Sequence, residues 1–322
     1  MTGTDEQAVD NASLPSLIGR WVVAARPWAL PASTMPVLYG TALAIVIGGA
    51  RFRVGPCVIA LSAMVLLHSA ANMLSDVFDY RRGLDREVTP VSGAIVRGWL
   101  SDGQVLRASL LLFAIGIFMG AMLAWRLAPA LWGVGAVGVA VGASYSLLKL
   151  RALGDVAVFL NFGVLGAVGA WTVQTGRFSL YPAIVAVPMA LLVAAILHAN
   201  NWRDIARDSA YDVTTMASRF GDEGSLHYYG FLLFAPFGFL IALIWAPRAL
   251  ALRTSPLPLS AALGLLALPR AARLWGRAIC RHRPKHPLDF ITLDAATAQL
   301  NLLFGALLTM GVAVAAFAEA LR

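Results

Sequence analysis

Charged residues are scarce in this chain. They make up 13% of its 322 residues, where a soluble domain carries about 25%. Hydrophobic residues make up 59%, and mean hydropathy is +0.73. An ordinary soluble globule is excluded. Cysteine is nearly absent, with only Cys57 and Cys280 present. Neither a disulfide framework nor a cysteine-based metal site follows from so few thiols. The apolar runs also lack the alternation of polar residues that a transmembrane barrel needs. A basic leader is missing too. Residues 1–14 are polar and acidic, so no cleavable signal is expected and this tail reads as disordered.

Long apolar runs are what the chain does have. They fall near 28–49, 54–75, 104–124, 127–147, 154–173, 181–201, 228–246, 255–270 and 296–319. Each approaches the roughly 20 residues that cross a bilayer, the eighth being short. The expected fold class is an all-α polytopic membrane protein of about nine transmembrane helices, with residues 15–322 as one domain. Residues 15–27 read as an amphipathic interfacial helix, with Arg20, Trp21 and Arg26 at the headgroups. Small residues crowd the fourth and fifth spans and permit close helix packing.

The net charge of +8 does not point to nucleic acid, because its distribution follows the membrane. About 18 of the 25 Lys and Arg fall on one face in this topology, the pattern of positive-inside bias. It places the N-terminus and both acidic loops in the cytoplasm and the protein in the cell membrane. Cys57 and Cys280 then lie on opposite faces.

Against this background two acidic segments stand out. One reads NMLSDVFDYRRGLD, Asn72 to Asp85; the other reads NNWRDIARD, Asn200 to Asp208. Acids at the edge of an apolar span are costly and mark function. Asn72 and Asp76 are spaced i, i+4, with Asp79 three further on. Asn200, Asp204 and Asp208 are spaced i, i+4, i+8, so a continuing helix aligns them on one face. Each segment thus presents a column of oxygen ligands. Hard cations such as Mg²⁺ take carboxylates together with water and phosphate oxygens. The metal ligands expected are Asn72, Asp76, Asp79, Asn200, Asp204 and Asp208, and the four aspartates are the expected catalytic set. Two facing columns suit a pyrophosphate. Arg81, Arg97, Lys149, Arg151, Arg203 and Arg207 are the cations that could clamp it. Asp85, Asn200 and Asn201 complete the candidate substrate-binding residues, with Asn72. His68 and His198, one turn before the acids, read as packing residues. The Arg270 to Lys285 run reads as a headgroup-binding loop.

These residues resemble the UbiA superfamily of intramembrane prenyltransferases, over roughly Arg26 to Leu308. Within it the chain looks like the 1,4-dihydroxy-2-naphthoate polyprenyltransferases of menaquinone synthesis. The resemblance rests on RPWALPASTMPVLYGTALA (Arg26 to Ala44), on the spacing Asp76, Asp79, Gly83, Asp85, and on LGDVAVFLNFGVLGAVGAWTVQTG (Leu153 to Gly176). It rests also on NNWRDIARD with Arg219 and Gly221, and on DAATAQLNLLFGALL (Asp294 to Leu308). Two departures stand out. Ser75 precedes the first Asp where Asn is usual. Val213, beside Asp212, stands where a diphosphate-binding Lys is common.

The resemblance implies nine spans around a central cavity capped by polar residues. A prenyl diphosphate would bind between the two motifs with Mg²⁺, and an aromatic acceptor would capture the allylic cation. A membrane terpene cyclase, or a transferase with a non-aromatic acceptor, is the alternative. An ion or solute transporter is a remoter one, since transporters place such acids at the midplane on broken helices.

Overall fold

The computed structural model describes residues 15–83, 88, 93–211, 213–249 and 257–320. The acidic tail expected to be disordered, Asp85 and Asp212 all lie outside these. Among the described residues the chain is helical, with no strand and one isolated bridge between Arg151 and Thr214.

Helix α1 (Leu17–Ala25), capped by Ser16, covers most of the segment expected at the interface. Arg26 then adopts a left-handed conformation with φ 52°, rare for a residue with a side chain. A short 3₁₀ turn, Pro27–Ala29, leads into α2 (Pro31–Val46). The two stretches Leu17–Ala29 and Pro31–Val46 meet at 56°. Next come α3 (Val54–Arg81), α4 (Asp102–Leu127), α5 (Ala130–Ala143) and the single turn α6 (Tyr145–Lys149). Helix α7 (Gly154–Val158) passes through a π-helical stretch, Phe159–Leu165, into α8 (Gly166–Thr175). After α9 (Tyr181–Val185) come α10 (Val187–Arg203), α11 (Ile205–Ala210) and the long α12 (Met216–Ala249). A 3₁₀ stretch, Leu259–Ala267, runs into α13 (Leu268–Ile279), and α14 (Leu293–Ala320) closes the bundle.

Among the described residues five helical stretches are long and apolar enough to cross a membrane, α7 to α8 counting as one, or six if the bent α1–α2 pair is one crossing. The expected nine is not reached by that measure. Helix α5 has only 14 residues, and α10 stops at 17 because the second acidic motif ends it. The eighth expected span is 3₁₀ over Leu259–Ala267 and then turns into the arginine-bearing α13.

Helix α10 sits at the centre. Met189, Leu192, Val193, Ala194 and Ala195 are all buried, because α12, α14, α2 and the π-helical stretch surround it. The outer faces are apolar instead: Phe118, Trp125, Phe231 and Trp245 are exposed, as lipid contact demands. Both small-residue spans use a glycine for close approach: a Cβ on Gly138 of the fourth would lie 3.2 Å from Asn161 Oδ1. A Cβ on Gly163 would lie 2.3 Å from the Ala190 side chain. Gly133 and Gly135 of the fourth face open space.

Candidate active site

A cavity of about 580 Å³ opens between the C-terminal ends of α3 and α10. Asn72, Asp76 and Asp79 line it from one side, and Asn200, Arg203, Asp204 and Arg207 from the other. The two acidic motifs, more than a hundred residues apart in sequence, therefore face one space. Arg97 and Lys149 line it as well.

Each lining aspartate is met by a cation. Arg26 donates to Asp76 at 2.6 Å, and Lys149 to Asp79 at 3.2 Å. Asp204 is held by Arg203 and by Arg207, each at 3.0 Å. Arg203 is further fixed by Asn200 at 2.7 Å and Asp294 at 3.2 Å. Arg97 lies 5.1 Å over the Trp99 ring, a cation–π contact. Opposite charges in such number leave the site nearly neutral and able to exchange partners.

The second motif does not form the straight column its spacing predicts. Helix α10 ends at Arg203, and Asp204 sits at φ −96°, ψ 8° before α11 restarts. Asp204 therefore faces the cavity, while Asp208 is buried beside it and does not line it. Asp208 Oδ2 has no hydrogen-bond partner among the described residues, and neither has the buried Asn72 Nδ2. Burial pushes the Asp208 carboxyl up to about 6. Lys149 and Arg207 oppose that rise, while the charges of Asp204 and Asp79 add to it. Burial alone would lower the Lys149 ammonium. The carboxylates of Asp79, which also accepts its hydrogen bond, and Asp208 oppose that and hold Lys149 above its ordinary value.

Three further candidates fall away from the cavity. Arg151 is exposed and paired by backbone to Thr214. Asn201 is buried on another face of α10, because i+1 neighbours on a helix diverge by about 100°. Arg81 pairs with Asp102 at 2.8 Å, at the exposed end of α3. Val213, the position of the missing Lys, is buried outside the cavity, its N–H bonded to the Asp208 carbonyl at 2.9 Å. A contact from that position to a ligand in the cavity is not what this backbone offers.

Other residues join the site unannounced. Arg26, expected at the headgroups, sits at the left-handed bend between α1 and α2 and pairs with Asp76 at the cavity. Asp294 carried the same signal as the other acids, a carboxylate in the first turn of an apolar helix, and it faces Arg203. Asn161 and Phe162 reach the cavity from the π-helical stretch, a local geometry frequent at functional sites. His68 lines the cavity against Phe162, ring centroids 4.3 Å apart, and is hydrogen-bonded to Ser33 at 2.8 Å. His198 is instead buried against Asp155 at 3.1 Å.

The sequence pattern of the UbiA prenyltransferase family matches residues 33–282. The human UbiA prenyltransferase domain-containing protein 1 is 32% identical over 305 residues, covering 92% of this chain and 83% of that protein. Its zebrafish (Danio rerio) counterpart is 32% identical over 308 residues, covering 94% and 86%. Among solved structures, a UbiA homolog from Archaeoglobus fulgidus bound to GPP and Mg²⁺ has a TM-score of 0.60 at 15% identity, covering 90% of this chain and 99% of that one. The UbiA homolog from Aeropyrum pernix K1 has a TM-score of 0.58 at 17% identity, covering 89% and 98%. The relatives' names specify no acceptor, and the expected nearness to the naphthoate branch is not supported by them.

Proposed function

The chain belongs to the UbiA prenyltransferase family. From that premise we propose that it transfers the prenyl group of an allylic prenyl diphosphate to an electron-rich aromatic acceptor of the 1,4-dihydroxy-2-naphthoate class. One observation carries the reading: two separate acidic motifs and the cations Lys149, Arg97 and Arg207 line one cavity whose deeper wall is Phe162, Val193, Ile196 and Leu197. A diphosphate needs the first set, and a prenyl chain needs the second.

The residues fit Mg²⁺. The donors are hard oxygens, and Asp208 keeps a buried oxygen without a partner among the described residues. No three of the site's carboxylates converge within 4.8 Å among the described residues. That suits an ion held by one or two carboxylates, with its other positions left to water and phosphate. Asn72, Asp76 and Asp79 would hold such an ion on one side and Asn200 and Asp204 on the other, with Asp208 buried behind the second motif. When bound, Mg²⁺ neutralises the diphosphate and eases its departure. That the Archaeoglobus homolog of this fold is described with GPP and Mg²⁺ supports both ligands.

Lys149, Arg97 and Arg207 then donate charge-assisted hydrogen bonds to diphosphate oxygens as the C–O bond breaks. The apolar wall keeps water from the allylic carbon, and Phe162 offers it a π face. The acceptor ring attacks that carbon, a C–C bond forms, and the ring regains aromaticity by losing a proton or, in the naphthoate class, its carboxylate. The resemblance of Asp76 to Asp85 and of Leu153 to Gly176 to the naphthoate branch supports this acceptor. The charge distribution supports a cytoplasmic mouth and a place in the cell membrane.

The test is incubation of the purified protein with labelled prenyl diphosphates, with and without 1,4-dihydroxy-2-naphthoate. A prenylated ring is expected, and chelation should abolish it until Mg²⁺ or Mn²⁺ is restored. A cyclised hydrocarbon, or prenylation of a non-aromatic alcohol, would replace this acceptor with the alternative. Absence of turnover with every acceptor would sink the transferase reading.

A further inference from the structure

The second acidic motif is gripped from outside the cavity. We propose that Arg281 and Asp222 are positioning residues that aim Asp204 at the diphosphate, acting through Trp202 and Arg203. The inference rests on the proposed function, which makes Asp204 part of the diphosphate site.

Gly221 breaks α12 with φ +66°, a conformation that costs little only for glycine. The break turns Asp222 toward α10. Its carboxylate accepts the Trp202 indole N–H at 2.8 Å. It also accepts Arg281 Nε at 2.8 Å and Nη2 at 2.6 Å, a two-pronged contact. Arg281 is almost wholly buried, its side chain 4% exposed, and its guanidinium lies 5.4 Å over the Trp202 ring. Phe290 meets the same indole edge-on at 5.0 Å. The N–H, one face and the edge of Trp202 are thus all fixed by Asp222 or by the segment joining α13 to α14.

The far end of that segment holds the next residue. Arg203 donates to the Ile291 carbonyl at 3.0 Å and pairs with Asp294 at 3.2 Å. Trp202 and Arg203 are the two residues before Asp204, where the helix path breaks. A continuous helix would have set the direction of Asp204 by itself. Here the outer brace supplies that restraint. Asp222, Glu223 and His282 could be read instead as a cation site, since their ligand atoms lie within 4.8 Å of one another. Arg281 already pairs with both acids, Glu223 at 2.6 Å included, so the cluster works as a clasp.

The experiment measures binding of a non-hydrolysable prenyl thiolodiphosphate to the full-length protein by calorimetry, titrating Mg²⁺, alongside kcat and KM. Arg281→Ala should raise the analogue Kd and the half-saturating Mg²⁺ by about 10- to 100-fold, as loss of an outer-shell support does. Arg281→Lys should recover part of that. Trp202→Phe removes the N–H and the pyrrole half of the indole but keeps a six-membered aromatic ring beside Arg281, so a smaller rise in the same two quantities is expected. A merely structural role would lower the number of binding sites and leave the Kd of those remaining unchanged. Wild-type Kd and Mg²⁺ dependence in folded Arg281→Ala would overturn the proposal. If that variant does not accumulate, the same result in Trp202→Phe would do so. Failure of the wild-type protein to bind the analogue would sink the diphosphate reading, and the brace with it.

Discussion

Arg26 and Asp76 are fifty residues apart in sequence, and their side chains meet at 2.6 Å. The contact ties the residue that follows α1 to the first acidic motif. The aspartate carries the negative charge that the proposed Mg²⁺ site needs, and Asp204 does the same from the other motif. Asp76→Asn and Asp204→Asn should each lower kcat/KM by at least about 100-fold, the scale of losing one preorganised electrostatic contact. Asp76 is buried and Asp204 nearly so, so each variant also takes a charge partner from an arginine, and the melting temperature should fall. Near-normal kcat in either folded variant would remove that residue from the site.

Gly93 leaves room for the other oxygen of the same carboxylate. A Cβ there would lie 2.9 Å from Asp76 Oδ2. Arg26 holds the first oxygen, so the aspartate has to rotate to make room. Gly93→Ala should weaken Mg²⁺ activation several-fold while barely shifting the melting temperature. Unchanged Mg²⁺ dependence would show that Asp76 does not need this position.

Asp208 gives the site a pH dependence. Its carboxyl is pushed up to about 6, chiefly by burial. Asp208 lies buried behind Asp204, so its carboxylate charge would strengthen the pull on a cation there and its protonation would weaken it. Apparent Mg²⁺ affinity should be constant above pH 7 and fall as pH drops through about 6, and Asp208→Asn should flatten the profile. Stability of the metal-free protein should run the other way. The raised carboxyl contributes fully below its ordinary 3.8, and that contribution is lost as pH rises through about 6. Melting temperatures in chelator across that range check the sign.

Arg207 lines the cavity and reaches Asp204 at 3.0 Å. Arg203 is held by Asn200 and Asp294, which leaves Arg207 as the cation of the second motif placed to take a diphosphate oxygen. Arg207→Ala should raise KM for the prenyl diphosphate by about 10- to 100-fold, the worth of one charge-assisted hydrogen bond. An unchanged KM would leave Lys149 and Arg97 as the clamp.

Much of this protein was legible along the chain. Scarce charge and long apolar runs required a helical membrane bundle, because backbone polar groups in lipid must be satisfied within each segment. The motif spacing named Asp76, Asp79 and Asp204, because carboxylates at the edge of an apolar run have no other inexpensive explanation. Cations were legible only as a pool. Arg81, Arg97, Lys149, Arg151, Arg203 and Arg207 are alike in sequence, and the fold sorted them. Arg151 and Arg81 ended outside the cavity, while Arg26 came in.

What the sequence by itself determined is therefore the solvent of this protein, its class and the acids at its two motifs. Those follow from local composition and from spacing along single helices. The tertiary structure decided which side chains meet. Helix α10 breaks at Asp204, a left-handed Arg26 sits at the bend between α1 and α2, and a π-helical stretch aims Asn161 and Phe162 into the cavity. Each depends on which helix lies beside which. A partner fifty or ninety residues away, such as Asp76 for Arg26 or Asp294 for Arg203, leaves no mark in the local pattern.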